Sequence, residues 1–193
     1  QTDLHPDRQQ HDASEWAAAR GATLVRFDPP VKGLLDASTR AEFNTIIKDT
    51  EDWLMYGVGA EKVDQVARWM KSPNRGRVIA VFDGGGGRGG IVEMKIVDVI
   101  QQRVQMHMAD FVDHFVAVSI GAATVFVLAL APVRAKAVEV GEELILELME
   151  GVFARGKNAS TGLYYIDAIQ DKFNKVLNLS GDEVLPPPTP GDG

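Results

Sequence analysis

The chain contains no cysteine, and its 193 residues include only four histidines. Without cysteine there are no disulfides, thiolate nucleophiles, iron–sulfur clusters or cysteine-based zinc sites. Basic residues are also few, since 20 Lys and Arg stand against 27 Asp and Glu, for a formal net charge of −7. A nucleic-acid-binding face needs basic residues to displace counterions, so this balance argues against nucleic acid as a partner. It also argues against binding to anionic membranes through bulk charge.

Long uncharged segments are scarce as well, and the exception spans residues 115–133. This length meets the crude threshold for a membrane span. Its first part has β-branched residues at alternate positions, and the small residues around Ser119 and Gly121 are typical of a turn. The segment therefore predicts a strand, a tight turn and a buried helix, and no transmembrane segment is expected. The location stays open between cytoplasmic and secreted, because proteins of both kinds lack cysteine.

Glycine is concentrated in one place, since six of the 19 glycines fall within residues 84–90, interrupted by Arg88. The β-branched run at 78–82 predicts a strand before them, and apolar residues at helical spacing over 91–108 predict an amphipathic helix after them. A strand, a glycine loop and a helix in this order suit an anion, because the loop amides converge and the helix N-terminus adds partial positive charge.

A nucleotide-binding domain is one interpretation of this loop, because Gly84, Gly86 and Gly89 satisfy the pattern G-x-G-x-x-G. The pattern is weak inside a run of glycines. A dinucleotide fold also needs an acidic residue at the end of the next strand, whereas Asp110 and Asp113 precede or open that strand. The Gly-Lys-Ser/Thr of a phosphate loop is absent. The nucleotide interpretation remains an alternative.

A second motif follows the next predicted strand, at 111–118, where the chain reads Ala-Val-Ser-Ile-Gly over residues 117–121. This is a nucleophile elbow with its first glycine replaced by alanine. The chemistry needs a serine on a strained strand-to-helix turn, with small neighbours that let strand and helix approach. The following helix points its N-terminus at Ser119, which would stabilise a developing oxyanion. The simpler interpretation is that Ser119 is an ordinary helix N-cap.

Taken together, the two motifs resemble the patatin-like phospholipase family over about residues 77–185. The matching residues are Asp83, Gly84, Gly85, Gly86, Arg88 and Gly89 in the glycine motif, Asp113 before the elbow, and Ser119 and Gly121 within it. The resemblance implies an α/β fold, with part of a three-layer α/β/α sheet over residues 76–193. Residues 1–75 would form a small, mainly helical N-terminal extension, with helices over 38–70 broken at Gly57 and Gly59.

The resemblance also implies roles for these residues. Ser119 would be the nucleophile of a lipid acyl hydrolase, a phospholipase or esterase that needs no metal and no cofactor. Amides of Gly85, Gly86 and Gly87 would form the oxyanion hole, and Arg88 would hold the loop that runs from Gly84 to Gly89. The substrate would be a lipid or other acyl ester, in solution or at a membrane surface.

The sequence departs from the family at the catalytic base. The family uses an aspartate in an Asp-Gly or Asp-Ala pair on a later strand. Asp192 stands in such a pair only 73 residues after the serine (192 − 119), and Asp167 falls within a predicted helix. His114 is expected to be a structural residue at the strand start. The α/β domain is therefore expected to be incomplete at its C-terminal end, and a catalytically incomplete fragment or interaction module remains an alternative.

Overall fold

The computed structural model describes residues 6–31, 39–131, 134–150 and 171–175. The described part is mostly helical, with one small parallel sheet, and so has α/β character. Its elements, in chain order, are α1 (Pro6–Ala18), α2 (Arg40–Met55), α3 (Val58–Met70), β1 (Ile79–Phe82), α4 (Gly86–Val104), α5 (Met108–Phe111), β2 (His114–Ala117), α6 (Ile120–Leu130), a 3-10 helix (Arg134–Lys136) and α7 (Ala137–Leu148).

The predicted helices over 38–70 are confirmed as α2 and α3. Helix α2 begins with a capping box, in which Thr39 and Glu42 exchange hydrogen bonds with each other's backbone amides. The break lies at Gly57, whose φ of +67° suits glycine. Gly59, expected to break the helix as well, lies inside α3, where its missing side chain leaves room for the indole of Trp53.

Strands β1 and β2 pair in parallel, with Ile79 opposite His114 and Phe82 opposite Ala117. Helix α4 is the crossover between them, as parallel strands require. The carboxyl ends of both strands therefore meet at the same edge of the sheet, and α4 and α6 both start there.

The second strand, predicted over 111–118, is shorter in the structure, because Phe111 belongs to the helical turn α5 and the strand begins only at His114. This turn buries Met108 and Phe111, and the His107 side chain caps it by accepting a hydrogen bond from the Ala109 amide. The strand then starts beside Asp113, whose carboxylate accepts a 2.7 Å hydrogen bond from the Val78 amide. Asp113 thus fixes the start of the strand pairing.

Helix α4 lies at the centre of the core and packs against α2, α3, α6 and α7. Its buried side chains recur at three- and four-residue spacing, at Ile91, Met94, Val97, Ile100 and Val104. The same apolar cluster includes Phe43, Ile46 and Ala67 of the first helices and Leu144, Ile145 and Leu148 of α7. Helices α2 and α3 therefore share one core with the β1–α4–β2–α6 unit. Within the described residues, no helix is both long and apolar enough to cross a bilayer.

A nearly buried lysine joins three of these helices. The Nζ of Lys95 on α4 lies 3.0 Å from Glu51 of α2, 3.4 Å from Glu142 of α7 and 3.6 Å from Asp98. Burial alone lowers the pKa of Lys95, but the hydrogen bond to Glu51 and the surrounding carboxylates together raise it above its ordinary value. The ammonium is therefore the charge that holds three carboxylates together.

Replacing Lys95 with methionine is expected to lower the free energy of unfolding by about 2 kcal/mol, because three carboxylates would lose their shared cation. Urea denaturation followed by circular dichroism measures this. Lys48→Met is the matched control, since Lys48 on α2 is exposed, and it should change stability by less than about 0.5 kcal/mol. Equal stabilities of the two variants would show that the cluster contributes nothing.

Candidate active site

The site lies where the two strands end. Beyond the last paired residues, the Val118 amide donates a 3.0 Å hydrogen bond to the Phe82 carbonyl, which carries the strand pairing to the edge of the turn. This contact sets Gly84 against Ser119, although the two are 35 residues apart in the chain (119 − 84). The structure therefore brings together the two motifs that the sequence singled out.

Ser119 has φ +56° and ψ −125°, a backbone conformation that a residue with a side chain rarely adopts. Gln105 is the other described non-glycine residue with positive φ, and it occupies the ordinary left-handed region at the end of α4. A conformation such as that of Ser119 costs about 1–3 kcal/mol and persists where the surrounding structure imposes it. Such strain on a strand-to-helix turn is the geometry of a nucleophile elbow.

The Ser119 side chain is exposed and makes no capping hydrogen bond to α6. Ser119 therefore occupies the N-cap position of α6 without the side-chain hydrogen bond that an ordinary serine cap makes. Backbone contacts close the turn instead: the Gly121 amide donates to the Val118 carbonyl at 3.1 Å, and the Ala122 amide donates to the Ser119 carbonyl at 3.0 Å. The hydroxyl is left at the surface, next to the glycine loop.

Two glycines allow this close approach. A side-chain carbon at Gly84 would lie 2.8 Å from the Ser119 Cβ and 3.4 Å from its Oγ. A side-chain carbon at Gly121 would lie 2.7 Å from the Phe82 carbonyl oxygen. Carbon atoms normally pack at about 3.5–4.0 Å, so neither position has room for alanine without a shift. The sequence prediction that small neighbours are needed here has this physical basis.

The glycine run is less of a loop than the sequence suggests, because α4 already begins at Gly86. Glycine weakens a helix, but here it leaves room for neighbouring side chains. A side-chain carbon at Gly87 would overlap Met149, and one at Gly90 would lie 2.8 Å from Ile120. Only Gly84 and Gly85 precede the helix. Gly85 and Gly86 have φ of +152° and +61°, which glycine adopts without strain.

The turn before α4 leaves backbone amides for an anion. The first intrahelical bond runs from the Gly89 amide to the Gly85 carbonyl at 3.1 Å. The amides of Gly85, Gly86 and Gly87 therefore have no acceptor within the helix. Ile120 starts α6 directly after Ser119, and its amide is in the same position. Sequence reasoning named the first three donors and missed Ile120, although the residue after an elbow serine is a usual oxyanion donor.

A partly buried carboxyl group that sequence reasoning also missed lies one helical turn behind the loop. The Thr124 hydroxyl on α6 donates a 2.9 Å hydrogen bond to Glu93 Oε2 on α4. Burial raises the pKa of Glu93 to about 8, the Thr124 hydrogen bond opposes this rise, and the Asp83 charge adds to it. The sequence carried one signal for this pair, which is its spacing. Glu93 lies four residues after Gly89, and Thr124 lies four residues after Ile120, so each lies about one helical turn beyond its motif.

The other sequence-based candidates have different outcomes. His114 opens β2, as predicted, at the end of the strand away from Ser119. Asp167 and Asp192 lie outside the described residues. Among the residues that the structure describes, no three His, Asp or Glu side chains are grouped so that they could hold a metal ion.

Comparisons with known proteins found no matching family model, no matching curated protein and no matching solved structure.

Proposed function

We propose that this chain is an acyl hydrolase of the patatin-like phospholipase type, acting on the ester bond of a lipid or related acyl ester. The observation that carries the proposal is the backbone of Ser119, held at φ +56° and ψ −125° beside Gly84. The strained conformation costs the fold free energy, whereas an exposed serine at the meeting point of two helix N-termini is well placed for nucleophilic attack.

The proposed reaction has two steps. The Ser119 Oγ forms a bond to the acyl carbonyl carbon, and the negative charge on the carbonyl oxygen is met by the amides of Gly85, Gly86 and Ile120. The carbon–oxygen bond to the alcohol then breaks, and the alcohol leaves with the proton given up by the serine. Water hydrolyses the acyl-serine, releasing the carboxylic acid and restoring the hydroxyl.

The serine proton needs an acceptor, which the resemblance assigns to an aspartate. Asp192 is the candidate for this role, and the support for it is that it stands in an Asp-Gly pair. Arg88 belongs to the same proposal as the residue that holds the glycine loop and favours negative charge nearby.

The finer architecture is part of this proposal. One face of the sheet carries Phe82 and Phe115, whose rings lie 6.2 Å apart and face the core. The other face carries four exposed β-branched residues, Ile79, Val81, Val116 and Val118, each at least 49% exposed. A three-layer α/β/α arrangement would cover this second face, which supports the described unit as part of such a sheet.

A fluorophosphonate probe tests the proposal, because it reacts covalently with activated serines and not with ordinary ones. We expect the wild-type chain to be labelled and Ser119→Ala to show no labelling. Ser72→Ala is the matched control, since Ser72 is exposed in the turn before β1, and it should be labelled as the wild type is. Release of p-nitrophenol from a p-nitrophenyl acyl ester should follow the same pattern.

Two results would overturn the proposal. Labelling that persists in Ser119→Ala would place the reactive group elsewhere. A folded wild-type chain without labelling would favour the catalytically incomplete interaction module. If inorganic phosphate binds to the glycine loop of that unlabelled chain, the nucleotide-binding alternative would be favoured instead.

A further inference from the structure

The interface between α4 and α6 consists of successive layers that start at the active site. In the first layer, Gly89 and Gly90 lie against Ile120, and a side-chain carbon at Gly90 would approach Ile120 to 2.8 Å. One turn further along both helices, Glu93 meets Thr124. The layer behind the oxyanion loop and the elbow is therefore a hydrogen bond between the two helices.

This polar pair is unusual for its surroundings. Thr124 is fully buried, and α6 has no other polar side chain after Ser119, since it reads Ile-Gly-Ala-Ala-Thr-Val-Phe-Val-Leu-Ala-Leu. Packing alone could be provided by valine, which has nearly the shape of threonine. A buried hydroxyl paired with a carboxyl group instead fixes how far one helix slides or rotates on the other, because only one arrangement satisfies both groups.

We propose that Glu93 is a positioning residue of the active site, joining α4 to α6 through Thr124 so that the glycine loop and Ser119 keep their close approach. The inference rests on the proposed function, since it concerns the positioning of the same serine. Glu93 acts through the two helices and does not touch the substrate.

The charge state of Glu93 makes the positioning of the glycine loop against Ser119 sensitive to pH. Burial holds the pKa of Glu93 near 8, so the carboxyl group is neutral at pH 7 and ionises as the pH rises further. The pKa in the folded state is above the ordinary value, so the folded chain binds the proton more tightly than the unfolded chain does. Stability is therefore lost as the pH rises towards and through 8. The Thr124 hydrogen bond by itself favours the carboxylate, but burial outweighs it, and Asp83 at the end of β1 repels the carboxylate as well.

Three carboxylates on the other helices around α4 are engaged away from Glu93. Helix α6 has no ionisable side chain, and Asp83 is the charged group that acts on Glu93 from the β1 side. These three carboxylates pair with cations of α4 itself, Glu51 of α2 and Glu142 of α7 with Lys95, and Asp64 of α3 with Arg103, while Glu147 of α7 pairs with Lys172 and Lys175. Arg88 lies in the first turn of α4, and it is not an unpaired charge.

The test measures the rate of fluorophosphonate labelling of Ser119 from pH 6.5 to 9.5 in the wild type, Glu93→Gln, Glu93→Ala and Thr124→Val. The ratio of wild-type to Glu93→Gln rates cancels the titration of every group that the two share. We expect this ratio to fall at least tenfold between pH 7 and 9.5, with a midpoint near pH 8. Glu93→Ala and Thr124→Val should react slowly at all pH values, and glutamine should restore most of the rate that alanine loses at pH 7. Glu61→Gln, at an exposed position of α3, should follow the wild type.

Thermal unfolding of the same variants separates the possible failures. If the melting temperature of the wild type falls with pH while the labelling ratio stays constant, Glu93 has a structural role only and the proposal is overturned. Equal rates for Glu93→Ala and wild type would overturn it as well. If Ser119 is not labelled in any variant, it is the proposed function that fails. The pH dependence of the melting temperature, present in the wild type and absent in Glu93→Gln, still reports whether Glu93 couples the helices.

Discussion

Replacing Gly84 with alanine is expected to slow the labelling of Ser119 about 100-fold while the fold is retained. The added carbon would lie 2.8 Å from the Ser119 Cβ, so the loop and the elbow must move apart by about 1 Å to restore normal contact. A displacement of this size between a nucleophile and its oxyanion donors typically costs about two orders of magnitude in rate. Gly84 is exposed and its φ is not positive, so alanine introduces little backbone strain and no core overlap.

Time courses of fluorophosphonate labelling, read beside the melting temperature, measure this effect. Gly76→Asn is the control, because Gly76 precedes β1 at the far end of the strand, has open space around it and has a φ of +68° that asparagine tolerates. The control should react at the wild-type rate. A Gly84→Ala rate within a factor of two of wild type would show that Ser119 does not depend on its contact with the loop.

Replacing Gly121 with alanine is expected to destabilise the fold by about 2–3 kcal/mol, and so to lower the melting temperature by about 5–10 °C. Alanine normally stabilises a helix relative to glycine, so the sign of this effect is informative. The added carbon would lie 2.7 Å from the Phe82 carbonyl oxygen and 2.9 Å from the Phe82 Cβ. The carbonyl is already bonded to the Val118 amide, and the strand backbone cannot yield without opening that bond.

Gly141→Ala is the matched comparison, because Gly141 also lies within a helix and also faces a close neighbour. Its neighbour is the end of the Met94 side chain, which is flexible and can move aside. We expect a change of less than about 1 kcal/mol in the free energy of unfolding for this variant. If the two substitutions are equally costly, the rigidity of the β1 backbone is not what makes Gly121 necessary.

The order of elements around the site could be predicted from sequence, because each has a strong local signal. A β-branched run gives β1, apolar spacing gives α4 and α6, and small residues on both sides of Ser119 give the tight turn. The start of α4 at Gly86 was not predictable in the same way. Glycine has the weakest helix propensity apart from proline, and only the close packing of Gly87 and Gly90 against Met149 and Ile120 explains why the helix begins so early.

Polar contacts between distant segments were also beyond sequence reasoning. Glu93 and Thr124 look like one surface acid and one helix threonine until the crossover brings α4 beside α6. Lys95 gives a similar lesson, because its partners Glu51 and Glu142 come from helices on either side of it in the chain. The terminal helix α1 was missed for a different reason: its residues are polar, and the apolar periodicity that marks a packed helix is weak there.

The parallel pairing of β1 and β2 also has a consequence for when the proposed reactivity of Ser119 could arise during folding. Gly84 and Ser119 are neighbours only after the whole of α4 has formed and folded back so that the second strand can dock beside the first. Non-local pairing of this kind closes late, since the loop entropy is lost before the contacts are gained. A chain with its helices already formed but its two strands still apart therefore holds an ordinary, unreactive serine. The proposed chemistry would belong to the closed crossover and to no shorter piece of the chain.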